Sequence, residues 1–177
     1  MTSVRVYKVV LIGNGGVGKT TWIKRCEKGE FDGRYIATQG VDIRIMTFHT
    51  THGIIKLNVW DCAGQEHLQG LGDGYFAQAD GAIAMFDVTS RMTYKDIEQW
   101  IYLFRFAVND APILVVGNKC ELEQKTIKNA DGETVAMEAD YFVSSRTNEN
   151  VELPLVSLIR LMTHEPTLNI IETPVNE

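Results

Sequence analysis

Residues 13–20 read GNGGVGKT and match the pattern G-x-x-x-x-G-K-[ST] at every defined position. The apolar run of residues 6–12 comes directly before them and has the length of a strand, whereas residues 21–26 carry apolar side chains at a helical spacing. A glycine loop between a strand and a helix is the context in which this pattern marks a phosphate-binding loop. The glycines let successive backbone N–H groups turn towards a phosphate, and the N-terminus of the following helix adds positive potential.

Two side chains of this loop carry chemistry. Lys19 can reach the outer phosphates of a nucleoside triphosphate, and the hydroxyl of Thr20 can ligate Mg²⁺. The competing interpretation is a glycine-rich turn without a ligand, which the flanking strand and helix disfavour. We therefore predict a P-loop NTPase.

The composition favours one globular domain. The chain has 177 residues, of which 45% are hydrophobic and 23% charged, which suffices for a complete core. We expect residues 1–177 to form a single domain, with residues 165–177 as a short C-terminal tail. The net charge of −6 argues against nucleic-acid binding, since no run of Lys or Arg offsets it. Three cysteines without scaffold spacing indicate free thiols in a reducing compartment.

The sequence gives no sign of membrane attachment. No apolar run approaches the roughly 20 residues of a membrane span. The first residues do not read as a signal peptide, residue 2 is not the glycine that myristoylation requires, and the last residues hold no cysteine for a prenyl group. We expect a soluble monomer without an anchor.

The remaining segments alternate between strands and helices. Residues 41–48 alternate in polarity and residues 54–60 return after a turn, which predicts a β-hairpin. Residues 81–86 and 113–117 are short continuous apolar runs, which are typical of parallel strands buried on both faces. A helical stripe lies between these two runs at residues 97–108.

The last third of the chain predicts one more strand and a closing helix. Residues 141–143 read as the strand, residues 151–162 as the helix, and residues 134–138 as a short helix. This alternation indicates an α/β fold with a doubly wound sheet. We expect six mostly parallel strands, with one antiparallel edge strand and helices on both faces.

Polar residues follow the strand at residues 54–60. In doubly wound sheets, ligands bind outside the carboxyl ends of the strands. Asp61 can hold a metal ion through water, the Gly64 N–H can meet a γ-phosphate, and Gln65 can orient an attacking water. The spacing D-x-x-G is weak by itself, and it gains weight behind a phosphate loop.

Further motifs follow the strands at residues 113–117 and 141–143, where the chain reads NKCE at 118–121 and SSR at 144–146. With the phosphate loop, these motifs make the chain resemble a small GTPase of the Ras superfamily, in which N-K-x-D and S-A-K motifs read guanine. Within that superfamily it resembles the Ran branch, the nuclear-transport GTPases, over roughly residues 5–170. The stretches that carry this second resemblance are residues 35–41, 48–50, 56–61, 70–75 and 85–95.

The resemblance implies a guanine-nucleotide site with Mg²⁺ as its cofactor. The residues implied to bind GTP or GDP are Gly15, Gly16, Val17, Gly18, Lys19, Thr20, Thr21, Phe31, Tyr35, Thr38, Gly64, Asn118, Lys119, Glu121, Ser144, Ser145 and Arg146. Those implied to act in hydrolysis are Gln65, Lys19 and Thr38. Those implied to hold the metal are Thr20, Thr38 and, through water, Asp61.

The resemblance also implies individual roles. Residues 31–40 and 62–76 would be the two switch segments, and Thr38 would bond Mg²⁺ only when the γ-phosphate is present. Tyr35 would cover the phosphates. Phe31 would lean on the guanine ring, or would simply anchor its own loop.

The base-reading residues implied by the resemblance lie at the two later motifs. Asn118 and Lys119 would brace the base and the phosphate loop, and the Ser145 backbone N–H would meet the guanine oxygen. The family's guanine-reading aspartate is Glu121 here, whose extra methylene displaces the carboxylate by about 1.5 Å unless the loop shifts. Two outcomes stay open: weaker guanine binding, or a loop that has adapted to the longer side chain. Ser145 and Arg146 replace Ala and Lys of S-A-K, which is a milder change.

The chain departs from the Ran branch in two larger respects. Residues 121–140 carry six acidic and two basic side chains, where Ran has a basic run that meets acidic surfaces of transport receptors. Like charge there would repel such partners. The chain is also expected to lack the C-terminal helix and acidic tail of Ran.

These patterns leave two function hypotheses. The first is a Ran-like GTPase switch of nucleocytoplasmic transport, in nucleus and cytoplasm, that hydrolyses GTP slowly and depends on an exchange factor and a GTPase-activating protein. The second is a weakly nucleotide-binding mimic that occupies Ran partners without switching. A P-loop kinase is disfavoured, because no lid arginines or acceptor-site motif accompany the loop.

Overall fold

The computed structural model describes residues 3–64, 72–122 and 125–172. The strands are β1 Val4–Ile12, β2 Val41–Thr50, β3 Gly53–Cys62, β4 Gly81–Asp87, β5 Ile113–Asn118, β6 Thr126–Lys128, β7 Thr134–Ala136, β8 Tyr141–Phe142 and β9 Ile170–Glu172. The helices are α1 Lys19–Lys28, α2 Gly72–Phe76, α3 Arg91–Lys95, α4 Ile97–Ala107 and α5 Leu153–Thr163. A short 3₁₀ turn, Cys120–Leu122, follows β5.

The main sheet runs in the order β8-β5-β4-β1-β3-β2-β9. β1 pairs in parallel with β3 and β4, and β5 pairs in parallel with β4 and β8. β2 is antiparallel to β3, and β9 is antiparallel to β2. The prediction of an α/β P-loop fold with a mostly parallel, doubly wound sheet is confirmed.

Helices cover both faces of this sheet. Residues at odd positions of β1, such as Val9, pack with Trp22 of α1 and Leu158 of α5. Residues at even positions, such as Val10, pack with Phe104 of α4 on the opposite face. This period-two alternation explains the continuous apolar run at residues 9–12: this half of β1 is buried on both sides.

The sheet has one strand more than the six expected, because part of the expected tail is built into it. β9 pairs with the end of β2, and Leu168 just before it is fully buried. Glu165 forms a bidentate ion pair with Arg5 of β1, at 3.0 and 3.1 Å. A three-residue strand is too short for a periodic signal, so residues 165–172 could not be distinguished from a tail. Residues 173–177 lie outside the described residues.

The prediction of a short helix at residues 134–138 was wrong, because residues 134–136 form β7, which pairs with β6 in a separate hairpin. The turn between them explains the difference. The Asn129 side-chain oxygen accepts hydrogen bonds from the N–H groups of Asp131 and Glu133, and Gly132 adopts a φ of 81°. Asn and Gly supply this local hydrogen bonding and left-handed backbone more readily than other residues, which favours the hairpin.

Candidate functional site

The carboxyl ends of β1, β3, β4 and β5 meet at one edge of the sheet, where a cleft opens. A cavity of about 520 Å³ lies there between the loop of residues 13–20, one face of α1 and residues 30–40. Gly15, Gly16, Thr21 and Gly64 line it. The segment at residues 118–121 and residues 144–146 lies beside this cavity rather than in its lining. We call the side of the cleft with this cavity the phosphate end, and the side with residues 118–121 and 144–146 the base end.

The phosphate loop is packed so closely that two of its glycines leave no room for a side chain. A Cβ atom on Gly13, whose φ is 133°, would lie 2.1 Å from the Met85 carbonyl oxygen. One on Gly18, whose φ is 96°, would lie 2.4 Å from the Asn118 side-chain nitrogen. The loop therefore rests directly on the ends of β4 and β5, which fixes its position relative to both ends of the cleft.

Lys19 is folded back over this loop. Its ammonium group donates hydrogen bonds to the carbonyl oxygens of Gly13 at 2.7 Å and Asn14 at 3.0 Å, and the residue is 6% exposed. Burial lowers the pKa of Lys19 to about 8, although the nearby Asp61 carboxylate opposes the shift. A buried cation with carbonyl oxygens as its hydrogen-bond partners is suited to receive an anion.

Thr20, Thr38 and Asp61 form a hydrogen-bonded cluster at the phosphate end. The Thr20 hydroxyl donates to Asp61 Oδ2 at 2.5 Å and lies 2.8 Å from the Thr38 hydroxyl. Since the Thr20 proton is engaged with Asp61, Thr38 is the donor to Thr20. The cluster joins the start of α1, the segment at residues 30–40 and the end of β3.

This cluster fits a magnesium ion. Asp61 is fully buried, its Oδ1 atom has no hydrogen-bond partner, and burial raises the pKa of its carboxyl group. A buried carboxylate oxygen without a donor is costly unless a ligand or water meets it. Two hydroxyl groups and a carboxylate are the hard oxygen ligands that Mg²⁺ prefers.

The segment at residues 30–40 approaches the loop at two residues. Thr38 is half-buried through the cluster, whereas residues 30–37 and 39 are exposed. Tyr35 is 71% exposed, yet its hydroxyl lies 3.7 Å from a Cβ placed on Gly15, so its ring stands over the loop. Tyr35 and Thr38 are thus the two residues of this segment that lie against the loop and the start of α1.

Gly64 also meets the phosphate loop. A Cβ atom there would lie 2.0 Å from the Gly15 nitrogen, so the backbone after β3 touches the loop directly. Gln65 and the rest of residues 65–71, the middle of the predicted second switch segment at residues 62–76, lie outside the described residues.

At the base end, Asn118 connects three segments. The residue is 2% exposed, and its side-chain amide donates to the Val17 carbonyl oxygen at 3.0 Å. Its side-chain oxygen accepts hydrogen bonds from the Ser145 backbone N–H at 3.3 Å and from the Ser145 hydroxyl at 3.1 Å. Lys119 then donates to the Gly16 carbonyl oxygen at 3.1 Å. Asn118 and Lys119 therefore connect the end of β5 to the phosphate loop, and Asn118 also connects it to Ser145.

Glu121 lies in the 3₁₀ turn after β5, and its Oε2 atom is buried without a hydrogen-bond partner. This is the counterpart of the orphaned oxygen of Asp61 at the other end. An acceptor of this kind suits the N–H groups of a purine edge.

Three further residues named from the sequence are placed less directly. Ser144 is buried, and its hydroxyl accepts the Thr147 N–H at 2.9 Å, which makes it a turn-forming residue. Arg146 is exposed. Phe31 is 40% exposed and lies against Gly33, outside the cavity lining.

Sequence reasoning missed Asp87, which ends β4 and accepts a hydrogen bond from Lys119. It also missed Lys24 and Lys28, which line the cavity one turn apart on α1. The signal for Asp87 was present: an aspartate at the end of a strand, as at Asp61.

A family model for the Ras family matches residues 8–164 of this chain. The match runs from β1 through α5 and includes both ends of the cleft. Within the part of the chain that the structure describes, no helix is long and apolar enough to cross a membrane.

Proposed function

The chain belongs to the Ras family of small GTPases, and we propose that it is a Ran-like GTPase switch of nucleocytoplasmic transport. Family membership supports guanine-nucleotide binding, GTP hydrolysis and switching in general. The observation that carries the switch is the Thr20–Thr38–Asp61 cluster, in which a residue of an exposed segment meets the phosphate loop. The Ran assignment is supported by the sequence stretches that resemble that branch.

The residues of the phosphate end would bind the triphosphate by direct contact. The backbone N–H groups of residues 15–20 would cradle it, and Lys19 would exchange its carbonyl partners for phosphate oxygens. Thr20, Thr38 and, through water, Asp61 would hold Mg²⁺, which when bound offsets charge on the phosphates. Gln65 would orient the water for in-line attack on the γ-phosphate.

Thr38 would make residues 31–40 sensitive to hydrolysis. The residues around it are exposed, so few buried contacts hold the segment independently of the cluster. Loss of the γ-phosphate would remove partners from Thr38 and Tyr35 and release the segment. The two forms would then present different surfaces to effectors, an exchange factor and a GTPase-activating protein.

Glu121 would read the purine at the base end. Its orphaned oxygen can accept one N–H of guanine, whereas a bidentate pair requires both oxygens at the right depth. The expected result is preference for guanine over adenine with a lower affinity than an aspartate gives.

The β6–β7 hairpin bears on the partners. It lies within residues 121–140, the acidic stretch, and the side chains of β7 are exposed. Transport receptors that meet a basic surface in Ran would be repelled here. Binding to nuclear-transport receptors is accordingly proposed in weakened form, for a monomer present in nucleus and cytoplasm.

Glu121 also favours a second candidate function. If the longer side chain abolishes useful guanine affinity, the protein would act as a non-switching mimic that occupies Ran partners. Lys19, Thr20 and Thr38, which are arranged for nucleotide binding, disfavour this candidate.

The nucleotide content of the purified protein separates the two candidates. The protein is denatured, and the released nucleotides are identified by chromatography. One equivalent of GDP or GTP supports the switch, and an empty protein that also fails to bind added GDP with Mg²⁺ overturns it. An equal content of adenine nucleotide would contradict the role of Glu121.

A further inference from the structure

Asp87 lies between the two ends of the cleft, although it has no assigned role. It ends β4 and is in parallel register with Asn118, the last residue of β5. The residue is 8% exposed, and its Oδ2 atom accepts a hydrogen bond from the Lys119 ammonium group. The same ammonium group donates to the Gly16 carbonyl oxygen at 3.1 Å. Lys119 is thus held at its tip by a strand end and by the phosphate loop.

The carboxylate of Asp87 is itself fixed in place. Its Oδ1 atom accepts hydrogen bonds from the Thr89 N–H at 2.8 Å and from the Thr89 hydroxyl at 2.7 Å. Its backbone N–H donates to the buried Thr93 hydroxyl at 3.0 Å. Both oxygens therefore have partners, and the acceptor presented to Lys119 has a single orientation.

The backbone of Lys119 supports the same conclusion. Its φ is 64°, in the left-handed region that residues other than glycine seldom adopt. Such a conformation persists when surrounding contacts hold it and is frequent at ligand-binding sites. Here it accompanies a side chain turned back to the loop, with its tip held by Asp87.

We propose that Asp87 is a positioning residue for guanine-nucleotide binding, which fixes Lys119 against the phosphate loop before the nucleotide arrives. This inference rests on the proposed function. A free lysine side chain loses rotamer entropy when a ligand immobilises it, and a lysine already held by a charge-assisted bond does not. Because preorganisation of this kind acts mainly on dissociation, Asp87 slows nucleotide release.

The test uses the variant Asp87→Asn, which keeps the size of the side chain and an oxygen for Thr89 but removes the charge. Release of fluorescent GDP should become faster by about tenfold. The matched control is Asp140→Asn. Asp140 accepts the Val115 N–H at 2.7 Å in the first half of β5 and is exposed, so its loss should leave release unchanged.

A second comparison separates positioning from a merely structural role. Lys119→Met should also speed release, and adding Asp87→Asn to it should have no further effect, since the charge then has no lysine to hold. If Asp87→Asn acted through a structural defect, it would speed release equally in the unaltered protein and in the Lys119→Met variant. Asp87→Glu, which restores the charge, should recover part of the slow release.

Thr89→Val gives a test if Asp87→Asn does not fold. Thr89 is exposed, and its hydroxyl orients the Asp87 carboxylate, so this variant should speed release about two- to threefold, and only when Lys119 is present. If the unaltered protein binds GDP and these variants release it at the unaltered rate, the role of Asp87 is overturned alone. If the unaltered protein binds neither GDP nor GTP, the proposed function falls, and the role of Asp87 with it.

Discussion

The two ends of the cleft each hold one buried carboxylate oxygen without a partner, but they hold it differently. At the phosphate end, Asp61 is fully buried on β3 and is bonded to Thr20. At the base end, Glu121 lies in a three-residue 3₁₀ turn. At the phosphate end, residues 13–20 match the pattern G-x-x-x-x-G-K-[ST] at every defined position. At the base end, residues 118–121 depart from N-K-x-D at Glu121. An acceptor fixed by a strand tolerates little change, whereas one on a turn can be lengthened and can shift to compensate.

Replacing Thr20 with Asn should have the largest effect and should fall on the phosphate end alone. The variant loses a hydroxyl ligand and the hydrogen bond to Asp61. The affinities for Mg²⁺ and for GTP should therefore fall together, by about 100-fold. The measurement is nucleotide release with and without Mg²⁺. Thr20→Ser keeps the hydroxyl and should behave nearly like the unaltered protein. If release from the unaltered protein were insensitive to Mg²⁺, the proposed metal site would be wrong.

The pKa of Lys19 gives the phosphate end a pH dependence of its own. In the nucleotide-free protein that pKa is about 8, against 10.5 for an ordinary lysine. Between these values the unfolded chain binds a proton that the folded protein has released, so the free energy of unfolding should rise with pH, by roughly 3 kcal/mol in total. Urea unfolding at several pH values measures the rise.

Lys19→Met is the control for this pH dependence. The rise should be absent in that variant, and it should shrink when GDP is bound, because phosphate raises the pKa of the lysine. Equal pH dependence with and without Lys19 would show that other groups cause it.

Replacing Gln65 with Leu should separate chemistry from binding. Gln65 is proposed to act on the attacking water, so hydrolysis should slow by at least about tenfold while nucleotide affinity is nearly unchanged. Single-turnover hydrolysis of preloaded GTP is the assay, with fluorescent GDP release from the same variant as the control. An unchanged hydrolysis rate would remove Gln65 from the mechanism.

The smallest expected effect belongs to the base end. Glu121→Asp should strengthen the binding of GDP and GTP by about 1–2 kcal/mol, chiefly through slower release, because one more bond of a bidentate pair forms. Hydrolysis of bound GTP should not change, since the base lies far from the γ-phosphate. Glu121→Gln keeps the length without the charge and should lose preference for guanine over adenine. Release from Glu121→Asp at the same rate or faster would mean that the turn has adapted to glutamate.

The sequence predicts the parts of this molecule that strong local patterns determine. The phosphate loop and the buried strands β4 and β5 follow from glycine spacing and from continuous apolar runs. β7 was missed because a few residues carry no decisive period, and the turn residues Asn129 and Gly132 determined its structure. β9 was missed because its pairing partner lies about 120 residues earlier in the chain.

The candidate site divides in the same way. Thr20, Asp61 and Asn118 could be named because each follows a strand or sits in a motif, and they lie where strand ends meet. The orphaned oxygens of Asp61 and Glu121 could not be foreseen, since they depend on packing from distant segments. Phe31 belongs to a segment without a period, and its place beside Gly33 follows from no local rule.

The pairing of β9 with β2 has a mechanical consequence. The Ser3 carbonyl oxygen accepts the Ile54 N–H at 3.0 Å, and β9 pairs with His49 and Thr50. Residue 3 and residues 170–172 are therefore both hydrogen-bonded to the tip of the β2–β3 hairpin. The cleft is at the opposite end of these strands. Tension applied between the two ends would load the tip first, and we expect β9 to peel away at low force before the parallel strands yield. Detachment of β9 would thus come before any strain at the cleft.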